Sequence, residues 1–185
     1  MSLPGIDLRI ALLPTCFGTA LQRVETVLKE WPADVVLSVG QAGGRSGLTV
    51  ERVAINLDDA RIADNCGRQP VDEPVVAGAP AAYFATLPVK AMVAAIRDVG
   101  LDASVSYSAG TFVCNHVFFG LCHLAETRWP GLRCGFVHIP WHPEQAARHG
   151  GPSLDTDAVV RGLAAALRAI QDGASDPRVS EGTLS

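Results

Sequence analysis

Two short segments, each apolar at consecutive positions, limit the folds open to this chain more than any other feature. Residues 34–39 (DVVLSV) and residues 133–140 (RCGFVHIP) are mostly aliphatic or aromatic, without polar alternation. A strand that is apolar on successive residues is buried on both of its faces. Such strands belong to sheets that helices cover on both sides, so the chain is predicted to be an α/β protein.

The other periodic segments alternate between strand and helix patterns. Strands are predicted over residues 8–14, 48–57 and 103–105, helices over residues 15–31, 86–100, 117–127 and 155–172, and loops over residues 40–47, 58–82 and 141–152. The first strand, helix and strand suggest a βαβ unit. The prediction is a single-domain three-layer α/β/α sandwich over residues 1–173, with a twisted, mostly parallel mixed sheet. Residues 174–185 are polar and predict a flexible tail.

The composition narrows the partners and the compartment. The 185 residues are 48% hydrophobic and 18% charged, which is typical of a globular domain. The net charge of −4 without a basic block argues against a nucleic-acid partner. No apolar run approaches the roughly 20 residues of a membrane span, and the start shows no secretory pattern, so we expect no membrane association and a cytoplasmic location. Five cysteines, an odd number that fits no disulfide scaffold, favour reduced thiols.

Two cofactor hypotheses find little support. Cys114, His116, Cys122 and His123 suggest a zinc site, but the pairs are separated by about two helical turns and no C-x-x-C pair exists. Residues 40–47 (GQAGGRSG) are rich in glycine, but they do not form a G-x-G-x-x-G fingerprint and no helix follows them directly. We therefore predict no metal and no cofactor.

Cys114 is the first candidate for chemistry. It follows a turn of small residues in the segment SYSAGTFVCNH (residues 106–116) and precedes a helical pattern, so it lies where a loop enters a helix. Backbone N–H groups and the helix dipole there stabilise a thiolate, the form in which cysteine acts as a nucleophile. On that basis Cys114 is expected to be alkylated well below pH 8. The alternative is a buried structural cysteine.

His138 and Glu51 are the candidates for its partners. His138 lies near the carboxyl end of a buried strand, where a hydrogen-bonded core histidine is the alternative. Glu51 lies in an otherwise core-like strand, where a solvated residue on a polar face is the alternative. A cysteine, a histidine base and an orienting carboxylate form the constellation of acyl transfer. Three other carboxylates compete for the orienting position: Asp59, Asp64 and Asp72.

Three long motifs carry a family resemblance. SAGTFVCNH around Cys114, GQAGGR and LTVERVAIN around Glu51, and GFVHIP around His138 resemble the pyroglutamyl peptidase I family, as do DARIADN and APAAYFATLP. The likeness runs from about residue 13 to about residue 142. It implies a cysteine peptidase that removes N-terminal pyroglutamate from peptides without a cofactor.

The resemblance also implies residue roles and assembly. Cys114 would be the nucleophile, His138 the general base and Glu51 the third member of a triad. Arg61 matches a position near the oxyanion site. The residues that match positions around the lactam-binding pocket are Gln41, Ile62, Phe112 and Val113. Members are usually cytoplasmic, and a homo-oligomer, a dimer or tetramer, is expected.

The sequence departs from the family at its start. The further N-terminal strand and Gly/Phe-rich loop with which family members begin are not visible here. An alternative is therefore a catalytically weak or inactive, truncated homologue that serves in binding or assembly. A third hypothesis is a different cysteine hydrolase, such as an amidase acting on small amides.

Overall fold

The computed structural model describes residues 3–182. The helices and strands in chain order are α1 (Thr19–Glu30), β1 (Val35–Gln41), β2 (Leu48–Glu51), β3 (Val53–Ile55), β4 (Ala82–Phe84), α2 (Val89–Asp98), β5 (Ala103–Ser106), α3 (Val113–Thr127), β6 (Arg133–Ile139), α4 (Pro143–His149) and α5 (Thr156–Gln171). Within the described residues, no helix is both long enough and apolar enough to cross a membrane.

The main sheet has four strands in the order β1-β6-β2-β5. β1 runs parallel to β6, and β2 runs parallel to β5, while β2 and β6 are antiparallel. β3 and β4 form a separate antiparallel pair. The prediction of a mostly parallel mixed sheet is confirmed.

Helices cover both faces of this sheet. On one face α1 and α3 pack around a core that includes Phe118, Phe119 and Phe136. On the other face α2 and α5 pack against β2 and β6, with Met92 and Ile96 fully buried. The three-layer α/β/α architecture is therefore confirmed.

Helix α3 is the central helix of the molecule. Eleven of its fifteen residues are buried. A helix that is apolar on nearly all sides has no solvent face and must be enclosed by neighbouring elements. This burial fixes the position of the residues at its first turn, where Cys114 lies.

The strand predicted over residues 8–14 is wrong. This segment has no strand assignment, and Leu8, Ile10 and Leu12 are 52%, 79% and 89% exposed. A strand requires a hydrogen-bonded partner, and no strand among the described residues pairs with it. The predicted βαβ unit consequently lacks its first strand.

Two further boundaries differ from the predictions. Residues 48–57 form two strands, β2 and β3, because the chain leaves the main sheet at Arg52 and continues in the β3-β4 pair. Residues 141–152, predicted to be a loop, contain α4, which begins at Pro143. Proline suits the first turn of a helix because its missing N–H would have no partner there.

The prediction that all cysteines are reduced thiols is also wrong. Cys16 and Cys66 form a disulfide, although 50 residues separate them. It joins the residues before α1 to the long segment between β3 and β4. Asp64 supports the same junction, since its carboxylate accepts hydrogen bonds from the backbone N–H groups of Phe17, Cys66 and Arg68 at 2.7–2.8 Å.

The residues after α5 lie along α2. Asp176 accepts hydrogen bonds from the backbone N–H groups of Lys90 and Ala91 at 2.8 and 3.2 Å, and Glu181 pairs with both terminal nitrogens of Arg97 at 2.7 and 3.0 Å. The predicted flexibility of residues 174–185 stays a prediction. Residues 183–185 of that tail, and residues 1–2 of the predicted domain, lie outside the described residues.

Candidate active site

Cys114 is the second residue of α3, so the predicted position at the entry of a helix is confirmed. Phe112 precedes the helix in an extended conformation. Gly40, near the carboxyl end of β1, faces the cysteine closely: a β-carbon placed on Gly40 would lie 2.9 Å from Cys114 Sγ and 2.8 Å from Phe136 Cζ. Only glycine leaves room for the sulfur at this point.

His138 and Glu51 are brought together by the antiparallel pairing of β6 with β2. Glu51 lies opposite Phe136, and His138 lies opposite Thr49. Positions two residues apart share a face of the sheet, so the two side chains meet diagonally. His138 Nδ1 lies 2.7 Å from Glu51 Oε1, and both residues are buried. The reading of Glu51 as a solvated strand residue is wrong.

This contact sets the protonation of the histidine ring. A carboxylate only accepts, so His138 Nδ1–H donates to Glu51 and the ring's Nε2 is left as the acceptor. Gly40 is the strand partner of His138 across the parallel β1-β6 pair and also adjoins Cys114 Sγ. Gly40 therefore neighbours both the Cys114 sulfur and the strand position of His138.

Arg45 completes the charge arrangement, and the sequence reasoning gave it no role. Its Nη1 lies 2.9 Å from Glu51 Oε1 and also contacts Thr49 Oγ1, while its Nη2 donates to the backbone carbonyl of Ser108 at 3.2 Å. The signal was present in the sequence, because a carboxylate in a core-like strand needs a cation and an arginine precedes it by six residues.

The electrostatics of Cys114 differ from the prediction. Burial raises the pKa of the Cys114 thiol to about 11, the negative charge of Glu51 adds to the increase, and Arg45 opposes it. The expectation of a low-pKa thiolate is wrong because desolvation and the nearby carboxylate together outweigh Arg45. The resting group is a thiol, so reaction requires a base.

The residues predicted for the substrate pocket occupy three settings. Phe112 is half-buried against Phe17, with ring centroids 5.3 Å apart, and Val113 is buried in the core beside α1. Gln41 is exposed and hydrogen-bonds to the Gln145 side chain on α4 at 2.6 Å. The last two, Arg61 and Ile62, are exposed.

The segment that carries Arg61 and Ile62 is tied to the turn before Cys114. The backbone N–H of Asp59 donates to the Thr111 carbonyl at 3.0 Å, and Thr111 Oγ1 donates to the Asp59 carbonyl at 2.7 Å. The structure thus places this segment beside the active-site turn, although Asp59 and Thr111 are 52 positions apart in the sequence.

Comparisons with known proteins identify the family of this chain. A sequence profile described as pyroglutamyl peptidase matches residues 5–173. The chain belongs to the pyroglutamyl peptidase family. It is 53% identical over 180 residues to the pyrrolidone-carboxylate peptidase of Streptomyces coelicolor, covering 96% of this chain and 83% of that protein. It is 58% identical over 160 residues to the protein of the same name from Levilactobacillus brevis, covering 85% and 78%.

Solved structures of the family have the same fold. Pyroglutamyl peptidase I from Bacillus amyloliquefaciens superposes with a TM-score of 0.89 at 44% identity, covering 91% of this chain and 80% of that chain. Pyrrolidone carboxyl peptidase from Thermococcus litoralis superposes with a TM-score of 0.86 at 36% identity, covering 91% and 81%. The resemblance stated from the three motifs is confirmed.

This pyroglutamyl peptidase family member has a second buried histidine–carboxylate pair that sequence reasoning missed. His116 Nδ1 lies 2.7 Å from Asp58 Oδ2, and the backbone N–H of Gly18 donates to His116 Nε2 at 2.9 Å. Both ring nitrogens are occupied, so His116 has no free nitrogen to act as a base. It ties α3 to Gly18, just before α1, and to Asp58, in the segment after β3.

Asn115 provides a similar tie and was also missed. Its fully buried amide accepts from the Ile55 N–H at 3.0 Å and donates to the carbonyls of Ile55 and Leu57 at 2.9 and 3.0 Å. These bonds fix the chain after Glu51 against the helix that carries Cys114. A polar residue beside a candidate nucleophile was the available signal.

Neither the competing carboxylates nor the residues of the zinc hypothesis come together as a site. Asp64 is satisfied by backbone N–H groups, and Asp59 and Asp72 are exposed. His116 and His123 have separate partners, since His123 Nδ1 bonds to the hydroxyl of Tyr83 at 3.0 Å. In the described part of the chain, one cluster has metal-ligand spacing: Cys16, Asp64 and Cys66. Its two sulfurs are bonded to each other, which removes the thiolates that a metal would need.

Proposed function

We propose that this protein is a cysteine peptidase that removes N-terminal pyroglutamate from peptides, with Cys114 as nucleophile, His138 as base and Glu51 as the orienting carboxylate. The observation that carries the proposal is the 2.7 Å contact between His138 Nδ1 and Glu51 Oε1, made on the face of the sheet where Gly40 adjoins Cys114. Family membership supports the reaction type.

Acylation begins with a neutral thiol. His138 Nε2 takes the proton from Cys114 as Sγ attacks the carbonyl carbon of the pyroglutamyl residue. The Glu51 carboxylate stabilises the imidazolium that forms. The first N–H groups of α3 have no partner within the helix, so they supply donors for the developing oxyanion, and we assign Arg61 to the same side of the intermediate.

Completion of acylation and the deacylation that follows return the enzyme to its starting state. The imidazolium of His138 protonates the leaving amine, the C–N bond breaks, and a thioester between Cys114 and the pyroglutamyl group remains. His138 then takes a proton from water as the water attacks the thioester. Cleavage of the C–S bond releases pyroglutamate, and the sulfur regains its proton.

The proposed substrate group is a small, uncharged lactam with one N–H donor and one carbonyl acceptor. A largely apolar wall with a few polar partners suits such a ring. We assign this wall to Phe112, Val113 and Ile62, with Gln41 as a polar partner. The hydrogen bonds between Asp59 and Thr111 support it, because they hold the Ile62 segment next to the Phe112 turn. A prolyl group would be rejected, since it leaves the polar partners of the lactam carbonyl unpaired.

The test is hydrolysis of a fluorogenic pyroglutamyl amide, with a prolyl amide as decoy and Cys114→Ser as the nucleophile control. The expected result is cleavage of the pyroglutamyl amide alone and its loss in Cys114→Ser. No cleavage by folded wild-type protein would contradict the proposal and favour the non-catalytic homologue. Equal cleavage of simple amides would favour the general amidase.

Assembly and location complete the proposal. A homo-oligomer, a dimer or tetramer, is supported by the exposed apolar side chains of Leu8, Ile10 and Leu12 and by the 46% exposure of Val39 on β1, the edge strand of the sheet. Size-exclusion chromatography with light scattering tests it, and a monomer at micromolar concentration would contradict it.

For location we propose the cytoplasm. The three free thiols support this location, whereas a disulfide is unusual in the cytoplasm. Cell fractionation tests the proposed location.

A further inference from the structure

Arg45 lies outside the triad but contacts two of the segments that build it. It belongs to the loop between β1 and β2, and its side chain is 24% exposed. One terminal nitrogen pairs with Glu51 Oε1, and the other donates to the carbonyl of Ser108 in the turn that leads to Cys114. A single guanidinium therefore joins the carboxylate of the triad to the approach of the nucleophile.

The burial of Glu51 makes this pairing necessary. Its side chain is 0% exposed, both His138 and Arg45 contact the same oxygen, and Oε2 has no partner among the described residues. A carboxylate removed from water keeps its charge only beside a cation. Arg45 is permanently protonated, whereas a His138 that acts as a base must be neutral and cannot supply that cation.

The charge of Glu51 decides which nitrogen of His138 can act. An ionised Glu51 accepts from Nδ1–H and leaves Nε2 free to take a proton. A protonated Glu51 would instead donate to Nδ1, which places the ring hydrogen on Nε2 and removes the base. The position of the hydrogen on the His138 ring therefore depends on Arg45, the cation that pairs with Glu51.

The charged and titratable groups around this cluster are few. In the described chain they are Arg45, Glu51, His138 and Cys114, while the neighbouring Arg52 is directed to Asp176 at 3.8 Å. Glu51 raises the pKa of Cys114 and Arg45 lowers it. Loss of Arg45 would remove this opposing effect, and the protonation of Glu51 that follows would remove the base that takes the thiol proton.

We propose that Arg45 is a positioning residue of this active site, which holds Glu51 charged and aimed at His138. This inference rests on the proposed function. Its test includes a measurement that needs no peptidase activity, so that the two can fail separately.

The experiment compares Arg45→Gln and Arg45→Lys with the wild type. The matched control is Arg128→Gln, which removes a surface arginine whose pair with Glu25 spans 3.0 Å. The first readout is the rate at which iodoacetamide alkylates Cys114 between pH 6 and 10, measured by peptide mass spectrometry. The second is the pH profile of kcat/KM on the pyroglutamyl amide.

Arg45→Gln is expected to slow alkylation at pH 8 by about threefold to tenfold, because a His138 ring with its hydrogen on Nε2 no longer accepts the thiol proton. It is expected to lower kcat/KM by about 10²-fold or more, within the range for loss of a general base, and to move the acid limb to higher pH. Arg45→Lys keeps the charge and is expected to restore both the alkylation rate and the acid limb. Arg128→Gln should match the wild type in both.

Wild-type alkylation and a wild-type acid limb in Arg45→Gln would overturn the proposal, as would an Arg45→Lys variant that is as impaired as Arg45→Gln. If Arg45→Gln does not fold, the double variant Arg45→Gln/Glu51→Gln is compared with Glu51→Gln alone. A further loss of kcat/KM below about threefold supports action through Glu51, and a larger loss overturns it. If the wild type does not cleave the pyroglutamyl amide, the function fails and alkylation alone decides the role of Arg45.

Discussion

Substituting Gly40 by alanine tests whether the end of β1 sets the position of the nucleophile. The new β-carbon would lie 2.9 Å from Cys114 Sγ and 2.8 Å from Phe136 Cζ. Unstrained contacts between such atoms begin at about 3.5 Å, so the Cys114 sulfur or the Phe136 ring must move by about 0.6 Å or more. Gly40 does not have a positive φ, so the backbone itself accepts alanine and the crowding is the whole effect.

The expected losses follow from this displacement. A shift of about 1 Å in a reacting group costs on the order of 10²-fold in rate, so kcat/KM should fall by about 10- to 100-fold. Overpacking costs about 1–3 kcal/mol of unfolding free energy. For a chain of this size each kcal/mol lowers the melting temperature by about 2–4 °C.

Gly135→Ala provides the matched control. It crowds the core equally, since its β-carbon would lie 2.8 Å from Leu87 Cδ1, but it does so on the other face of β6. Both variants are measured by thermal melting and by hydrolysis of the pyroglutamyl amide. Gly40→Ala should lose activity and stability, and Gly135→Ala should lose stability alone. Unchanged kcat/KM in a folded Gly40→Ala variant would refute the reasoning.

Three further predictions concern stability and thiols. His116→Ala breaks a buried pair and should lower the unfolding free energy by about 3–5 kcal/mol in urea titrations, while kcat of the folded fraction stays within about threefold of the wild type. His138→Ala should abolish kcat. If His116→Ala abolished kcat and His138→Ala did not, the roles assigned to the two histidines would be exchanged. Desolvation raises the pKa of Asp64, but three backbone N–H donors and Arg68 outweigh it and leave that pKa below 3.8. A depressed folded-state pKa stabilises the fold above the unfolded value and loses that effect as the pH falls, so melting temperature should drop between pH 5 and pH 3 and drop less in Asp64→Asn. Alkylation after unfolding without reductant should modify three cysteines, and five after reduction; five without reductant would contradict the disulfide.

The elements that could be predicted are those whose pattern is local. β1 and β6 are consecutive apolar runs, and α2 and α5 carry apolar residues at helical spacing, so each appeared within a few residues of its predicted place. The start of α3 was marked by small residues before Cys114. A buried face produces the same apolar periodicity whichever element covers it, so periodicity alone is sufficient to predict these helices and strands.

The errors have a common origin in contacts between distant segments. Residues 8–14 have a strand composition but pair with none of the strands that the structure describes, and residues 48–57 alternate regularly but are divided between two sheets at Arg52. Local propensity describes how a segment can pair and does not identify its neighbour.

The sequence by itself determined the fold class, the family and the three groups of the proposed triad, because these depend on residue type, spacing and motif order. The tertiary structure alone decided how those groups act. The antiparallel register of β2 and β6 brings Glu51 to His138 across 87 residues, and the β1-β2 loop adds Arg45 to the same carboxylate. Burial then raises the pKa of Cys114, against the expectation from its helix position. Register, burial and charge pairing arise only when distant segments meet, so no local pattern encodes them.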